Sequence, residues 1–121
     1  MEKSKKYSDL LVWKKSHNLV IEIYRITKQL PKDELFGLTS QIRRSAISIP
    51  ANIAEGFGRD GTKDKLRFYN IATGSLNEVD CYLLLLQDLG YAKTDNLTDK
   101  IDEIGRILKS YIKTIKVNLK K

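Results

Sequence analysis

Seven apolar residues toward the C-terminus, Leu97, Ile101, Ile104, Leu108, Tyr111, Ile115 and Leu119, follow one another at steps of four, three, four, three, four and four. This spacing keeps them on one face of an α-helix, whereas a strand would need a period of two. Three further blocks repeat the pattern. Val12, Leu19, Ile23, Ile26 and Leu30 share a face between about Asp9 and Leu30, with Ser16 in the seat between Val12 and Leu19. Leu35, Leu38, Ile42, Ala46, Ile49 and Ile53 form the second stripe, ending near Glu55. Leu66, Tyr69, Leu76, Val79, Leu83 and Leu86 form the third.

The punctuation between blocks fits helix ends. Pro31 closes the first block, because proline disfavours helix at the residue before it. Pro50 falls inside the second stripe and removes a bond to the carbonyl of Ala46, which predicts a kink and no break, with Ser45 and Ser48 placed to serve the loosened backbone. Gly56 to Gly61 reads as a loop, Thr62 as the N-cap of the third helix, and Gly90 as its left-handed stop. Four helices with short connections predict an all-α, antiparallel up-down four-helix bundle, a single domain over residues 1–121 with basic end segments 1–8 and 117–121. An even number of helices returns both termini to the same end.

That return matters for charge. The chain has 121 residues and a net charge of +7. Residues 1–15 contribute +3 and residues 100–121 contribute +5, so everything between them sums to −1. In the fourth helix Arg106, Lys109, Lys113, Lys116 and Lys120 also step by three and four, forming a basic stripe beside the apolar one. A charged stripe is ordinarily a solvated face. Here no acid follows Glu103 to balance it, which makes it a candidate surface for nucleic-acid phosphates. Arg59 and Lys63, flanking the start of the third helix, are a second candidate for an anion.

Near the end of the third helix, residues 81–86 are apolar on every side. A helix apolar all round needs more than one face covered, so Tyr82, Leu84 and Leu85 are candidate contacts with another subunit. A terminal segment folding over them is the other reading.

Catalytic and metal chemistry lack their raw material. His17 and Cys81 are the only residues of their kinds, so neither a zinc site nor a paired Glu-x-x-His di-iron site is expected. No catalytic residues and no cofactor are predicted. Glu55, Glu78 and Asp80 are expected to pair with Arg43, Arg44 or Arg67, and the aromatic residues to lie mostly on core-facing positions. Gly56-x-Gly58-x-x-Gly61 matches the dinucleotide fingerprint in letters only, since a helix precedes it where a strand is required. The single cysteine excludes an internal disulfide, the polar start resembles no secretory signal, and no apolar run reaches membrane-spanning length. The expected location is the cytoplasm, with no membrane contact.

Several stretches carry a resemblance. Asp9-Leu10-Leu11-Val12-Trp13-Lys14-Lys15-Ser16, residues 36–46 (Phe-Gly-Leu-Thr-Ser-Gln-Ile-Arg-Arg-Ser-Ala), Ser48-Ile49-Pro50-Ala51-Asn52-Ile53-Ala54-Glu55-Gly56 and Ile71-Ala72-Thr73-Gly74-Ser75-Leu76-Asn77-Glu78 resemble, in order and spacing, the proteins encoded by intervening sequences of bacterial 23S ribosomal RNA genes. The resemblance spans roughly residues 9–92. It implies a four-helix bundle, often a ring-like pentamer, with no assigned enzymatic activity. A related bundle is the accessory subunit of diversity-generating retroelements, which associates with a reverse transcriptase and nucleic acid. Arg43, Arg44, Asn52 and Glu55 match motif positions, and the resemblance leaves open whether they bind or brace.

Two functions therefore compete at this level. One is a non-enzymatic homo-oligomeric module that contacts RNA or DNA phosphates. The other is a protein–protein scaffold whose charge serves solubility or an acidic protein partner.

Overall fold

The computed structural model describes residues 4–119. Among the described residues there are four α-helices: α1 (Leu11–Thr27), α2 (Ser40–Phe57), α3 (Thr62–Asp88) and α4 (Asp95–Leu119). Each packs against its neighbour in sequence, and α4 closes back on α1, giving the up-down bundle. Val12, Leu19, Ile23, Ile42, Ile49, Ile53, Val79, Leu86, Ile104 and Leu108 are fully buried at its centre.

The local signals explain most boundaries. Asp9 accepts the backbone N–H groups of Lys5 and Lys6, both at 3.0 Å, and fixes a 3₁₀ turn (Tyr7–Asp9) ahead of α1. Those two bonds hold the Asp9 carboxyl below its ordinary pKa of 3.8. Ser16 is buried between Val12 and Leu19, and its hydroxyl is satisfied by the carbonyl of Val12 at 2.7 Å. At the end of α3, Gly90 takes φ +76°, Gly90 N–H bonds the carbonyl of Gln87 and Tyr91 N–H that of Leu86, a Schellman stop. Helix α2 runs unbroken through the buried Pro50. The Ser48 hydroxyl meets that of Ser75 in α3 at 2.8 Å and receives a bond from the Asn52 amide, so it braces α2 on α3.

Two expectations are corrected. The residue preceding α3 in extended conformation is Gly61, not Thr62, which is already helical, and no side chain caps this end. The second stripe also starts late. A five-residue π-type turn (Leu35–Thr39) leads into α2, and Gly37 at φ −110°, ψ −107° breaks the helical phase. Leu35 is thereby turned out of the stripe and is 47% exposed, while Leu38 is half-buried.

The helices are unequal. With 17 and 18 residues α1 and α2 are roughly 26 Å long, against roughly 40 and 37 Å for α3 and α4 with 27 and 25 residues. Lys15, near the start of α1, pairs with Glu103 at 2.6 Å. Helix α1 therefore begins about level with Ile107, and the last dozen or so residues of α4 run on past it.

Candidate nucleic-acid interface

The overrun of α4 carries Lys109, Lys113 and Lys116 of the basic row, and Arg106 stands just before it. Arg106, Lys109, Lys113 and Lys116 are all exposed, and none has an ion-pair partner among the described residues. Lys120, the last member of the predicted stripe, lies outside the described residues. Lys109, Lys113 and Lys116 line a groove of about 440 Å³ with Ile112 and Val117.

The same end of the bundle gathers other cations. Tyr69 near the start of α3 lies 6.5 Å, ring to ring, from Tyr111 of α4, and Tyr7 lines a hollow with Gly58 and Arg59. The N-terminal segment with Lys5 and Lys6, the α2–α3 turn and the C-terminal half of α4 thus share one pole. Of the two turn candidates, Lys63 is exposed and unpaired among the described residues. Arg59 is already engaged, bonded to Glu55 at 3.0 Å and stacked on Phe68 at 4.7 Å. Arg67 packs on the same ring at 4.5 Å and lies 3.8 Å from Asp64. Lys65 is spent differently: its ammonium donates to the carbonyls of Gly56 and Phe57, both at 3.0 Å, closing the end of α2.

The expected pairing of Glu55, Glu78 and Asp80 with Arg43, Arg44 or Arg67 does not form. Glu55 takes Arg59, one helical turn on, and Glu78 accepts from the Tyr82 hydroxyl at 3.1 Å. Arg43 reaches Thr27 of α1 at 2.8 Å and lies over the Tyr24 ring at 4.5 Å. The motif residues so divide by role. Arg43 and Asn52 brace helices, and Arg44 is exposed without an ion-pair partner among the described residues.

The three candidate oligomer residues do not form one face. Leu84 and Leu85 are 58% and 43% exposed, and Tyr82 is half-buried. Tyr82 and Leu84, two residues apart, point about 200° away from each other around the helix. Leu85 stands one turn from Tyr82 on one side and from Leu89 on the other, and Leu89 was not singled out by the sequence reading.

A second omission is larger. Phe36 is 92% exposed, against the expectation that the aromatic residues face the core. It lines a groove of about 510 Å³ with Tyr24, Leu35, Arg43, Arg44 and Ile47. Its only sequence signal was the adjoining Gly37, where the helical phase breaks.

His17 stacks on Trp13 at 4.7 Å and takes no part in a metal cluster; among the described residues no group of His, Cys, Asp and Glu is arranged to hold a metal ion. Nor is any helix among them long and apolar enough to cross a membrane.

No curated protein matches the chain. A crystal structure at 1.70 Å resolution of a protein of unknown function from Bacteroides thetaiotaomicron VPI-5482, described as belonging to the S23 ribosomal protein family, is similar. It is 31% identical, superposes with a TM-score of 0.78, and the match covers 85% of this chain and 96% of that one. The family model for the 23S rRNA-intervening sequence protein matches residues 8–110, nearly the whole of the bundle. The fold, the motifs and these matches agree, and the chain belongs to the 23S rRNA-intervening sequence protein family.

Proposed function

We propose that this chain is a non-enzymatic, cytoplasmic, homo-oligomeric module that contacts RNA or DNA phosphates through its basic pole, with five subunits as the number the family resemblance suggests. The observation that carries this reading is the exposed row Arg106, Lys109, Lys113 and Lys116 on α4, which has no ion-pair partner among the described residues. Unpaired cations at helical spacing retain their full attraction for a polyanion, and copies arranged in an oligomer add their contacts by avidity. Lys63 supports the same pole. The hydrogen-bonded Lys65 and the carboxylate-bound Arg59 contribute less, because their donors are partly committed within the molecule.

Readout is by charge. Two of the aromatic rings at this pole are occupied, Phe68 under two guanidinium groups and Tyr69 in the core, while Tyr7 is 44% exposed. Binding should therefore depend steeply on salt and little on sequence.

The test is a titration of labelled structured RNA and of a DNA duplex, at low and near-physiological salt, with the native chain and with Lys109→Glu, Lys113→Glu and Lys116→Glu combined. Binding that weakens with salt is expected. The triple variant should bind more weakly and show a log–log salt slope shallower by about two to three, at roughly 0.7–0.9 per phosphate contact. Absence of binding at low salt removes the nucleic-acid role. Unchanged binding by the triple variant removes the row from it.

The protein-scaffold reading keeps one specific observation in its favour, the apolar side chains exposed at the opposite pole, Phe36 and Leu84 among them. Pull-downs with the triple variant separate the two, because a scaffold that docks through these apolar side chains retains its partners after the charge reversal.

A further inference from the structure

Two exposed apolar patches lie near the pole that carries the α1–α2 and α3–α4 connections, where the Tyr91 hydroxyl bonds Glu34 at 3.0 Å. They sit on different sides of α2 and differ in charge. The first is the groove between α1 and α2, where Phe36, Leu35 and Ile47 are 92%, 47% and 45% exposed and the charged lining is Arg43 and Arg44. The second is the exposed surface at the end of α3, where Leu85 and Leu89 are 43% and 50% exposed. Between Phe68 and Ala92 this chain of net charge +7 has no Lys or Arg, and its charges there are Glu78, Asp80 and Asp88.

We propose that the Phe36 groove of one copy receives the Leu85–Leu89 face of α3 of a second copy, head to tail. The inference rests on the homo-oligomeric part of the reading above and names the surfaces that would build the assembly. Charge decides the pairing. Groove against groove would set the Arg44 side chains of two copies together, and α3 against α3 would set Glu78 and Asp88 together. Groove against α3 places arginine beside carboxylate and apolar beside apolar. Because the two patches are different surfaces, each copy has one of each left to offer, and the contact propagates until it closes.

The experiment uses two variants of the full chain, one with Phe36→Asp and Arg44→Glu, the other with Leu85→Asp and Leu89→Asp. All four side chains are exposed, so circular dichroism should show native helix content in both. By sedimentation the native chain should be an oligomer and each variant a monomer. Mixing the variants in equal amounts should give a dimer and nothing larger, since the pair holds one intact groove and one intact α3 face. A native chain that stays monomeric overturns both this contact and the oligomeric reading. Variants that remain oligomeric overturn the contact alone, as does a mixture that stays monomeric. As a charge test, Glu78→Arg should restore association to the Arg44→Glu single variant; failure to do so removes the arginine–carboxylate pairing from the proposal.

Discussion

Gly56 of α2 lies directly against the ring of Tyr69 in α3: a β-carbon built on Gly56 would stand 2.8 Å from the ring edge. Tyr69 is 4% exposed and its ring cannot simply retreat. Alanine at a helical glycine ordinarily gains about 1 kcal/mol, but overpacking a core costs about 1–3 kcal/mol. Gly56→Ala should therefore destabilise the fold. Gly74, in the middle of α3, has nothing within 4 Å of its added carbon, and Gly74→Ala should stabilise by about 0.5–1 kcal/mol. Urea midpoints moving in opposite directions for the two variants are the expected result.

The neighbouring arginines Arg43 and Arg44 should separate in stability. Arg43→Lys loses the fork that joins Thr27 and the stacking on Tyr24, at a cost of about 1–2 kcal/mol. Arg44→Ala, compared within the monomeric Leu85→Asp, Leu89→Asp background, should fall within about 0.5 kcal/mol of its parent, as expected for an exposed side chain without an ion-pair partner. Equal effects in chemical denaturation would contradict this division.

Lys63 and Lys65, two residues apart, should also divide. Lys65→Ala removes the ammonium from the carbonyls of Gly56 and Phe57, of which Gly56 keeps the N–H of Arg59 at 3.3 Å, and should cost about 1 kcal/mol of stability. Lys63→Ala should leave stability unchanged and, if the basic pole binds phosphate, should reduce the salt slope of binding by about one. The pair of measurements tests structure and binding independently.

Stability should fall at both extremes of pH for different reasons. Burial, and secondarily the neighbouring Tyr111, raises the Tyr69 hydroxyl above its ordinary 10.0. A raised native pKa gives stability that is complete below the unfolded value and is lost as pH climbs past about 10 toward the native one. Tyr69→Phe should flatten that alkaline decline in part. Tyr82 is also raised, by burial and then by its bond to Glu78, and Tyr91 chiefly by its bond to Glu34, so some decline should persist. Asp9 has the opposite sign. Its lowered pKa gives support above 3.8 that disappears as pH falls, and Asp9→Asn should remove that acid dependence.

The bundle was legible because its signals are local. Helical spacing placed Val12, Leu19, Ile23, Ile42, Ile49, Val79, Ile104 and Leu108 in the core, and Gly90 marked the end of α3 through a conformation that glycine adopts without cost. The failures came where tertiary geometry chose between equivalent local options. Periodicity assigned Leu35 to the core stripe, and one non-helical residue, Gly37, rotated it and Phe36 outward. Composition marked residues 81–86 as apolar all round but did not divide Leu84 from Leu85, which leave the helix on different sides. Charge alone made Lys63 and Lys65 equivalent; only the carbonyls at the end of α2 distinguish them. The spacing of the basic row was readable from the sequence, and the structure adds that Arg106, Lys109, Lys113 and Lys116 are exposed.

The unequal helix lengths have a dynamic consequence. Roughly 18 Å of α4 runs beyond the start of α1, and Lys113, Thr114, Lys116, Val117 and Asn118 are exposed there, with Ile115 only half-buried. Amides between Leu97 and Leu108 should exchange with solvent only when the whole bundle opens, whereas those from Lys113 onward should exchange by fraying, orders of magnitude sooner. Lys113 and Lys116 are therefore mounted on the part of the helix that frays, whereas Arg106 and Lys109 stand on the part anchored to the core, so one basic row joins a fixed half to a yielding one.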